Sequence, residues 1–565
     1  METNVFDRRL WQRFWQIAKM YWLSEEKWRA TGVLLVLLLL LFSFTALNVA
    51  LNFIGRDFMT ALSEKNLPAF NKSLLLYLGA FIVATPVSVY YSYVRGILGV
   101  NWRLWLTGHF LDHYFHGRAY YHIKDNREID NPDQRITQDI ASFTSASLGF
   151  LSIIFFSLVQ LVSFIGILWG ISVKLVVILV AYAAFGTTVT FFFGKKLVHL
   201  NFQQLRKEAD LRYGLVHVRD NAESIAFFRG ENREKEQIRN RLLEAMKNLR
   251  FLIGWQRNLE FFTKGYEYII LVLPVVVMAP LYFAGQIKFG VVTQAESAFV
   301  QVLGALSIIV SQFEQLTGFV AGINRLETFS SALEPKTPEP ARETRIETRE
   351  KPDLELRNVT LKTPDNHKTL IAGLSLKTES GKGLLITGVS GIGKSSLMRA
   401  IAGLWETGEG AILRPPLEEM LFLPQRPYMV LGSLREQLLY PHTEKNIADG
   451  ELHQALAKVN LADLAERVGG LDAEFDWGQL LSLGEQQRLA FARLLLTKPR
   501  YALLDEATSA LDEVNEANLY NDLKDMGVTY ISVGHRSSLL KFHDQLLKLS
   551  GNGEWAASPI KETAG

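Results

Sequence analysis

The chain has no cysteine in 565 residues, which removes disulfides, thiolate nucleophiles and cysteine-ligated zinc or iron–sulfur centres from consideration. It also lacks an excess of either charge. Sixty Lys and Arg against 58 Asp and Glu leave a net +2, so no global basic field recommends a nucleic-acid partner. Charged residues make up only 21% of the chain against 48% hydrophobic. No internal repeat is evident. No small-residue cleavage pattern closes the first apolar stretch, so a cleaved signal peptide is not expected.

What the chain does have is long apolar runs, concentrated before residue 325. Candidate spans fall near 31–54 and 74–93, close to the roughly 20 residues a helix needs to cross hydrocarbon, and near 148–169, 174–193, 266–283 and 291–323, the last with the most polar residues. The segment METNVFDRRLWQRFWQIAKMYW alternates aromatics with Arg and Lys and predicts an amphipathic helix lying on the membrane surface within residues 1–30. Spans two to three and four to five are joined by long charged stretches. If these are cytoplasmic, Arg103, Arg118, Lys195, Lys196, Arg206, Arg229 and Arg257 fall inside with Arg8, Arg9 and Arg13. In the sixth span Gln294, Gln301 and Gln312 project on one face within about 20° at 100° per residue, with Glu296 and Glu314 nearly opposite. That pattern predicts a wet cavity on one face, the alternative being satisfied contacts with neighbouring helices.

A proline-rich charged segment, EPKTPEPARETRIETREKP, separates the six-span region (31–330) from a second domain and reads as a linker over 331–353. From 354 to 565, short β-like runs alternate with helical stretches, the pattern of a mostly parallel α/β sheet. GVSGIGKSS fits G-x-x-x-x-G-K-[ST], following the apolar run GLLIT and opening a helical run. Backbone donors of Gly388, Ser390, Gly391, Ile392 and Gly393 would wrap nucleotide phosphates together with Lys394, Ser395 and Ser396. Lys394 would supply charge, and Ser395 would ligand Mg2+. YALLDEATSALD places Asp505 and Glu506 at the end of an apolar strand, Asp505 for the metal and Glu506 to polarise the attacking water.

LSLGEQQRLAFARLLL, from Leu481, resembles the signature motif of ABC ATPases, and Gln425 in FLPQRPY, Asp512 in SALD and His535 in SVGHR complete the ordered set. The resemblance implies a P-loop ABC ATPase domain that works as a dimer. ATP would be held between the Lys394 loop of one copy and Ser482, Gly484 and Glu485 of the other, with Asp512 nearby. It also implies that His535 contacts the γ-phosphate, and that Gln425 senses magnesium and couples to the membrane domain. The sequence departs from the pattern twice: Leu483 and Glu485 stand in LSLGE where LSGGQ is commonest, and Thr363 falls where an adenine-stacking aromatic is usual.

NPDQRITQD (131–139), NWRLWLT from Asn101, NAESIAFFRGE (221–231) and FLPQRPYMVLGSLREQLLYP from Phe422 are similar to one branch of this family. That branch holds the BacA/SbmA-like ABC proteins and the peroxisomal acyl-CoA half-transporters of subfamily D. The expected fold is an all-α six-span membrane domain of exporter type fused to an α/β ATPase domain, with short coupling helices in the two charged stretches. The expected function is ATP-driven transport by a homodimer in a bacterial plasma membrane, with the ATPase domain cytoplasmic and ATP and Mg2+ as cofactors. The expected cargo is peptides or bulky hydrophilic solutes, with uptake favoured. Acyl-CoA or lipid transport is the alternative, and a non-transporting ATPase is less favoured because it needs no spans.

Overall fold

The apolar runs fold as helices, because only intrasegment hydrogen bonds satisfy a backbone surrounded by lipid. The chain, a computed structural model describing residues 8–123, 129, 131–333, 345–364 and 367–560, divides into two units, Met1–Thr337 and Pro338–Gly565. Unit one comprises α1 (Arg8–Trp22), α2 (Lys27–Ser63), α3 (Leu67–Phe115), α4 (Ala119–Ile123), α5 (Pro132–Gln134) and α6 (Ile140–Ile171). It continues through α7 (Val173–Asp220), α8 (Ala222–Phe228), α9 (Glu231–Phe283), α10 (Phe289–Ser311) and α11 (Phe313–Leu333). Among the described residues, six helical segments are long and apolar enough to cross a membrane.

Three of these helices are much longer than a bilayer requires. α3, α7 and α9 have 49, 48 and 53 residues, about 70–80 Å at 1.5 Å per residue against a hydrocarbon core of ~30 Å. The short helix α8 lies between two of them, in the stretch where a coupling helix is expected. Large apolar side chains such as Leu39, Leu75, Ile82, Val162 and Phe192 remain exposed on this unit, which suits a lipid solvent.

Close helix contacts depend on glycine. A Cβ on Gly290 would sit 1.9 Å from the Arg56 carbonyl oxygen, so α10 lies directly on the backbone of α2. A Cβ on Gly186 would sit 2.3 Å from the Tyr266 ring. That ring stacks on Tyr182 at 4.1 Å, and each hydroxyl donates to the other residue's carbonyl, at 2.6 and 2.9 Å, tying α7 to α9.

The wet-cavity expectation does not hold for Gln294. Its side chain is buried, its backbone carbonyl accepts from Asn52 Nδ2 of α2 at 3.4 Å, and its side-chain Nε2 has no hydrogen-bond partner among the described residues. Gln301 accepts from Gln160 of α6. Burial of Gln294 and the Gln160–Gln301 pair turn part of this face toward neighbouring helices, because helical periodicity identifies a face without saying what covers it. Gln312 sits at a break that divides the sixth segment into α10 and α11, and its buried carboxamide oxygen has no hydrogen-bond partner among the described residues. The Glu314 side chain lies outside what the structure describes.

The α1 helix is more than a surface float, since its Ile17, Ala18 and Tyr21 are buried in a cluster with Trp102, Phe110, Phe143 and Phe329. Its Arg13 donates to Asn324 Oδ1 of α11 at 2.6 Å. The NPDQR stretch reaches the same helix. Buried Arg135 donates to the Arg325 carbonyl at 2.8 Å, and Asp139 pairs with the Arg325 guanidinium at 2.9 Å.

Unit two begins earlier than expected. The predicted linker 331–353 is helical to Leu333, lies outside the described residues over 334–344, and then forms β1 (Glu347–Glu350), paired in parallel with β5 (Gly408–Arg414). With β2 (Glu355–Lys362) and β3 (Thr369–Lys377) they make one sheet, ordered β1-β5-β2-β3. The second sheet holds β4 (Gly383–Thr387), β6 (Met420–Leu423), β7 (Tyr501–Asp505), β8 (Thr529–Val533), β9 (Gln545–Gly551) and β10 (Glu554–Pro559). Its order is β10-β9-β4-β8-β7-β6, parallel except for β10. Helices α12 (Lys394–Ile401), α13 (Leu434–Leu439), α14 (Asp449–Lys458), α15 (Leu464–Val468), α16 (Trp477–Leu480), α17 (Leu483–Thr497) and α18 (Glu513–Asp525) complete the unit.

Candidate active site

Parallel sheets collect functional groups at the carboxyl ends of their strands, and here four neighbouring strands do so. In the order β4, β8, β7, β6 they deliver the Gly388–Gly393 loop, then His535, then Asp505 with Glu506, then Gln425. These residues are scattered over the sequence, and sheet order brings them together.

The loop after β4 needs its glycines. Gly388, Gly391 and Gly393 have φ of 150°, 78° and 112°, and a Cβ on Gly388 would lie 2.7 Å from the Leu549 carbonyl oxygen. The loop runs straight into α12, whose first residue is Lys394. The Lys394 side chain is buried and its ammonium donates to the carbonyls of Gly388 and Val389 at 2.9 and 3.1 Å. Burial pushes its pKa down, while Glu506 and Asp505 oppose that shift. An ammonium held only by carbonyls, beside a glycine-shaped cradle at a helix N-terminus, fits a phosphate chain.

Ser395 donates to Asp505 Oδ1 at 3.1 Å. Burial pushes the Asp505 carboxyl up, the Ser395 hydroxyl pulls it back, and neighbouring Glu506 raises it further. A half-buried carboxylate joined to a hydroxyl is a donor set suited to a hard cation such as Mg2+, whose charge would favour the ionised form.

Glu506 adopts a left-handed backbone, φ 50°, a conformation that costs a non-glycine residue energy and clusters at functional sites. It turns the carboxylate between two partners: Gln425 Nε2 donates to Oε2 at 2.9 Å, and His535 Nε2 lies 3.3 Å from Oε1. A carboxylate held on both oxygens is aimed, as a general base must be.

The signature residues make a separate cluster. Ser482 N-caps α17 in a capping box: its hydroxyl accepts from the Glu485 amide at 3.3 Å, and Glu485 Oε2 accepts from the Ser482 amide at 2.9 Å. Such a cap stabilises a helix by about 1 kcal/mol. Burial works against the Glu485 charge, yet Arg467 at 2.7 Å and the Ser482 donors hold its pKa below the usual range. A glutamate thus performs the N3 role, so departure from LSGGQ leaves the cap intact. Gly484 packs closely on the next loop, since a Cβ there would lie 3.1 Å from the Ala510 carbonyl oxygen. Asp512 caps α18 through the Asn515 amide at 2.7 Å. No hydrogen bond among the described residues joins the Ser482 cap to the Lys394 loop.

Sequence reasoning missed Arg493 and Gln437. Arg493 is buried and donates to Tyr428 O at 2.7 Å and to the carbonyl and side-chain oxygens of Gln437. Gln437 in turn pairs both ways with the Val430 backbone. Burial pushes the Arg493 pKa down to about 10. Together they hold the chain that comes after Gln425, and the only sequence signal was an arginine inside an otherwise apolar helix.

Comparison with known proteins agrees with both units. The family described as ABC transporter transmembrane region 2 matches residues 17–283, and the ABC transporter family matches residues 371–509. An uncharacterised ABC transporter ATP-binding protein of Synechocystis is 50% identical, the match covering 95% of this chain and 83% of that protein. ABC transporter D family member 2, chloroplastic, of Arabidopsis thaliana is 42% identical over 96% of this chain and 86% of its own. The human lysosomal cobalamin transporter ABCD4 is 34% identical over 98% and 97%. In fold, the chain resembles a bacterial Atm1-family ABC exporter with ATP bound, at a TM-score of 0.72 and 20% identity, covering 94% of this chain and 95% of that one.

Proposed function

The chain belongs to the ABC transporter family as a half-size member of subfamily D, and on that premise we propose that two identical copies form an ATP-driven translocator for bulky hydrophilic solutes. The membrane is a bacterial plasma membrane, with the ATPase units in the cytoplasm and uptake the favoured direction. The observation that carries this reading is the row of groups at the ends of β4, β8, β7 and β6, set in a chain with six candidate spans.

The residues divide the work. The backbone amides of Gly388–Gly393 and the Lys394 ammonium bind the nucleotide phosphates, which take the ammonium over from the Gly388 and Val389 carbonyls. Ser395, Asp505 and Gln425 would hold Mg2+, which would supply positive charge against the phosphate oxygens. Glu506 accepts a hydrogen bond from the attacking water and draws off its proton as the water oxygen bonds to the γ-phosphorus and the bond to the departing ADP oxygen breaks, while Gln425 and His535 fix the orientation of the carboxylate. His535 also presents a donor toward the γ-phosphate. Ser482, Gly484 and Glu485 of the second copy, at the N-terminus of α17, complete the phosphate site.

Cobalamin is a bulky polar solute, and the human lysosomal cobalamin transporter among the relatives therefore supports the hydrophilic-cargo reading. The test is ATP-dependent movement of a labelled peptide, a labelled cobalamin and a labelled acyl-CoA into proteoliposomes loaded with ATP and Mg2+, where the active copies have their ATPase units in the lumen, by wild type and Glu506→Gln. Movement of peptide or cobalamin by wild type alone is expected. Movement of acyl-CoA alone would replace the hydrophilic reading with the lipid one.

A further inference from the structure

Gln487 belongs to no assigned role, yet its side chain is completely buried, at 0% exposure, against the loop that carries Gln425 and the loop that follows Glu506. A buried carboxamide is costly unless its polar atoms are paired. Here both ends are. Nε2 donates to the Gln425 carbonyl at 3.0 Å and to Ser509 Oγ at 3.3 Å, and Oε1 accepts from the Ala510 amide at 3.0 Å.

These partners lie on two loops that flank Glu506. Gln425 reaches Glu506 through its own side chain. The Ser509 amide donates to the Glu506 carbonyl at 3.1 Å. The second loop is gripped from the far side by Arg536, which donates to Ser509 O and Leu511 O at 2.9 and 2.8 Å. On the near side the bare backbone of Gly484, one turn before Gln487 on α17, closes on Ala510. The carboxamide is therefore where the signature helix, the Gln425 loop and the 509–511 loop meet.

We propose that Gln487 is a positioning residue for ATP hydrolysis: it ties the signature helix to both loops, so that a movement of α17 moves Gln425, and with it the Glu506 carboxylate. The inference deepens the reading of Gln425 and Glu506 as hydrolytic groups and rests on it. Small displacements matter at this site, since about 1 Å of misplacement can cost 100-fold in rate.

Two variants separate the ties. Gln487→Leu removes every hydrogen bond at similar volume. Gln487→Glu keeps an acceptor for the Ala510 amide but sets a carboxylate against the Gln425 carbonyl. In the full-length protein in lipid nanodiscs, kcat, KM for ATP and equilibrium ATP affinity are measured for both, in wild-type and Gln425→Ala backgrounds. The expected result is a kcat loss of about 10- to 100-fold for each variant with ATP affinity retained. Gln487→Glu should add no further loss on Gln425→Ala, since both cut one path. Wild-type kcat in Gln487→Leu would overturn the proposal, as would an equal loss from Gln487→Glu in both backgrounds. If Gln487→Leu fails to fold, Gln487→Glu decides alone. Wild type and Glu506→Gln run alongside: free turnover by Glu506→Gln would overturn the hydrolytic reading itself, whatever Gln487 does.

Discussion

At the scale of single residues, the ATPase unit contains a pH sensor for stability that has no part in chemistry. His543 is buried, its Nδ1 donates to the Leu539 carbonyl at 2.7 Å, and Nε2 therefore accepts from the Ser532 hydroxyl at 2.8 Å. Burial pushes its pKa down to about 4, against about 6.5 in an unfolded chain. Between those values the unfolded state binds the extra proton, so stability is intact above about pH 6.5 and falls as the pH drops toward 4. At pH 5 the loss is about 2 kcal/mol by linkage. The unfolding midpoint of the ATPase unit in the full-length protein should drop between pH 7.5 and 5 by less in His543→Gln than in wild type. An equal drop in both would show that His543 is not the group responsible. Glu506→Gln is the catalytic counterpart: ATP binding is expected to persist while turnover falls by about 100-fold or more, read by nucleotide binding and phosphate release on the same sample.

At the scale of elements, residues 324–327 of α11 are clasped from two sides. Arg13 comes from α1, and Arg135 with Asp139 from the turn that begins α6. Asp139 is 14% exposed and Arg325 34%, so their pairing is screened less than a surface pair, and breaking it should cost about 1–3 kcal/mol. Arg325→Asp should lower the thermal midpoint of the detergent-solubilised protein, and Asp139→Arg in the same chain should restore most of the loss, because Arg135 binds the residue 325 carbonyl whichever side chain stands there. Failure of the swapped pair to recover would mean the ion pair is incidental. This clasp was beyond the reach of sequence reading, since Arg135 and Arg325 are 190 positions apart and NPDQR alone reads as a polar turn. The spans were legible because hydrocarbon demands contiguous apolar residues, but their true lengths were not, because α3, α7 and α9 continue as polar helices that no lipid specifies. The phosphate loop, Asp505 and Glu506 were legible because each motif is a short contiguous string whose strand precedes it. Gln294 and Gln301 misled for the opposite reason: a polar face toward a cavity and one toward a neighbouring helix have the same periodicity, and only the burial of Gln294 and the Gln160–Gln301 pair tell them apart.

At the scale of the whole molecule, the separation of the Ser482 cap from the Lys394 loop carries the argument for a dimer. Each cluster is complete within itself, with Ser482, Glu485 and Arg467 bonded to one another and Lys394 bonded to its own loop. Half-sites of this kind predict complementation between chains. A copy carrying Lys394→Ala retains a working α17 N-terminus, and a copy carrying Ser482→Arg retains a working phosphate loop. Paired in one dimer, they rebuild one complete site and leave the other doubly broken. If both halves of a site came from the same chain, that pairing would leave neither site intact. Mixed dimers purified through two different affinity tags should therefore recover up to about half the wild-type number of competent sites, counted by trapped nucleotide, while each variant homodimer traps almost none. Mixed dimers no better than either homodimer would place both halves of the site in one chain and remove the reason for two copies.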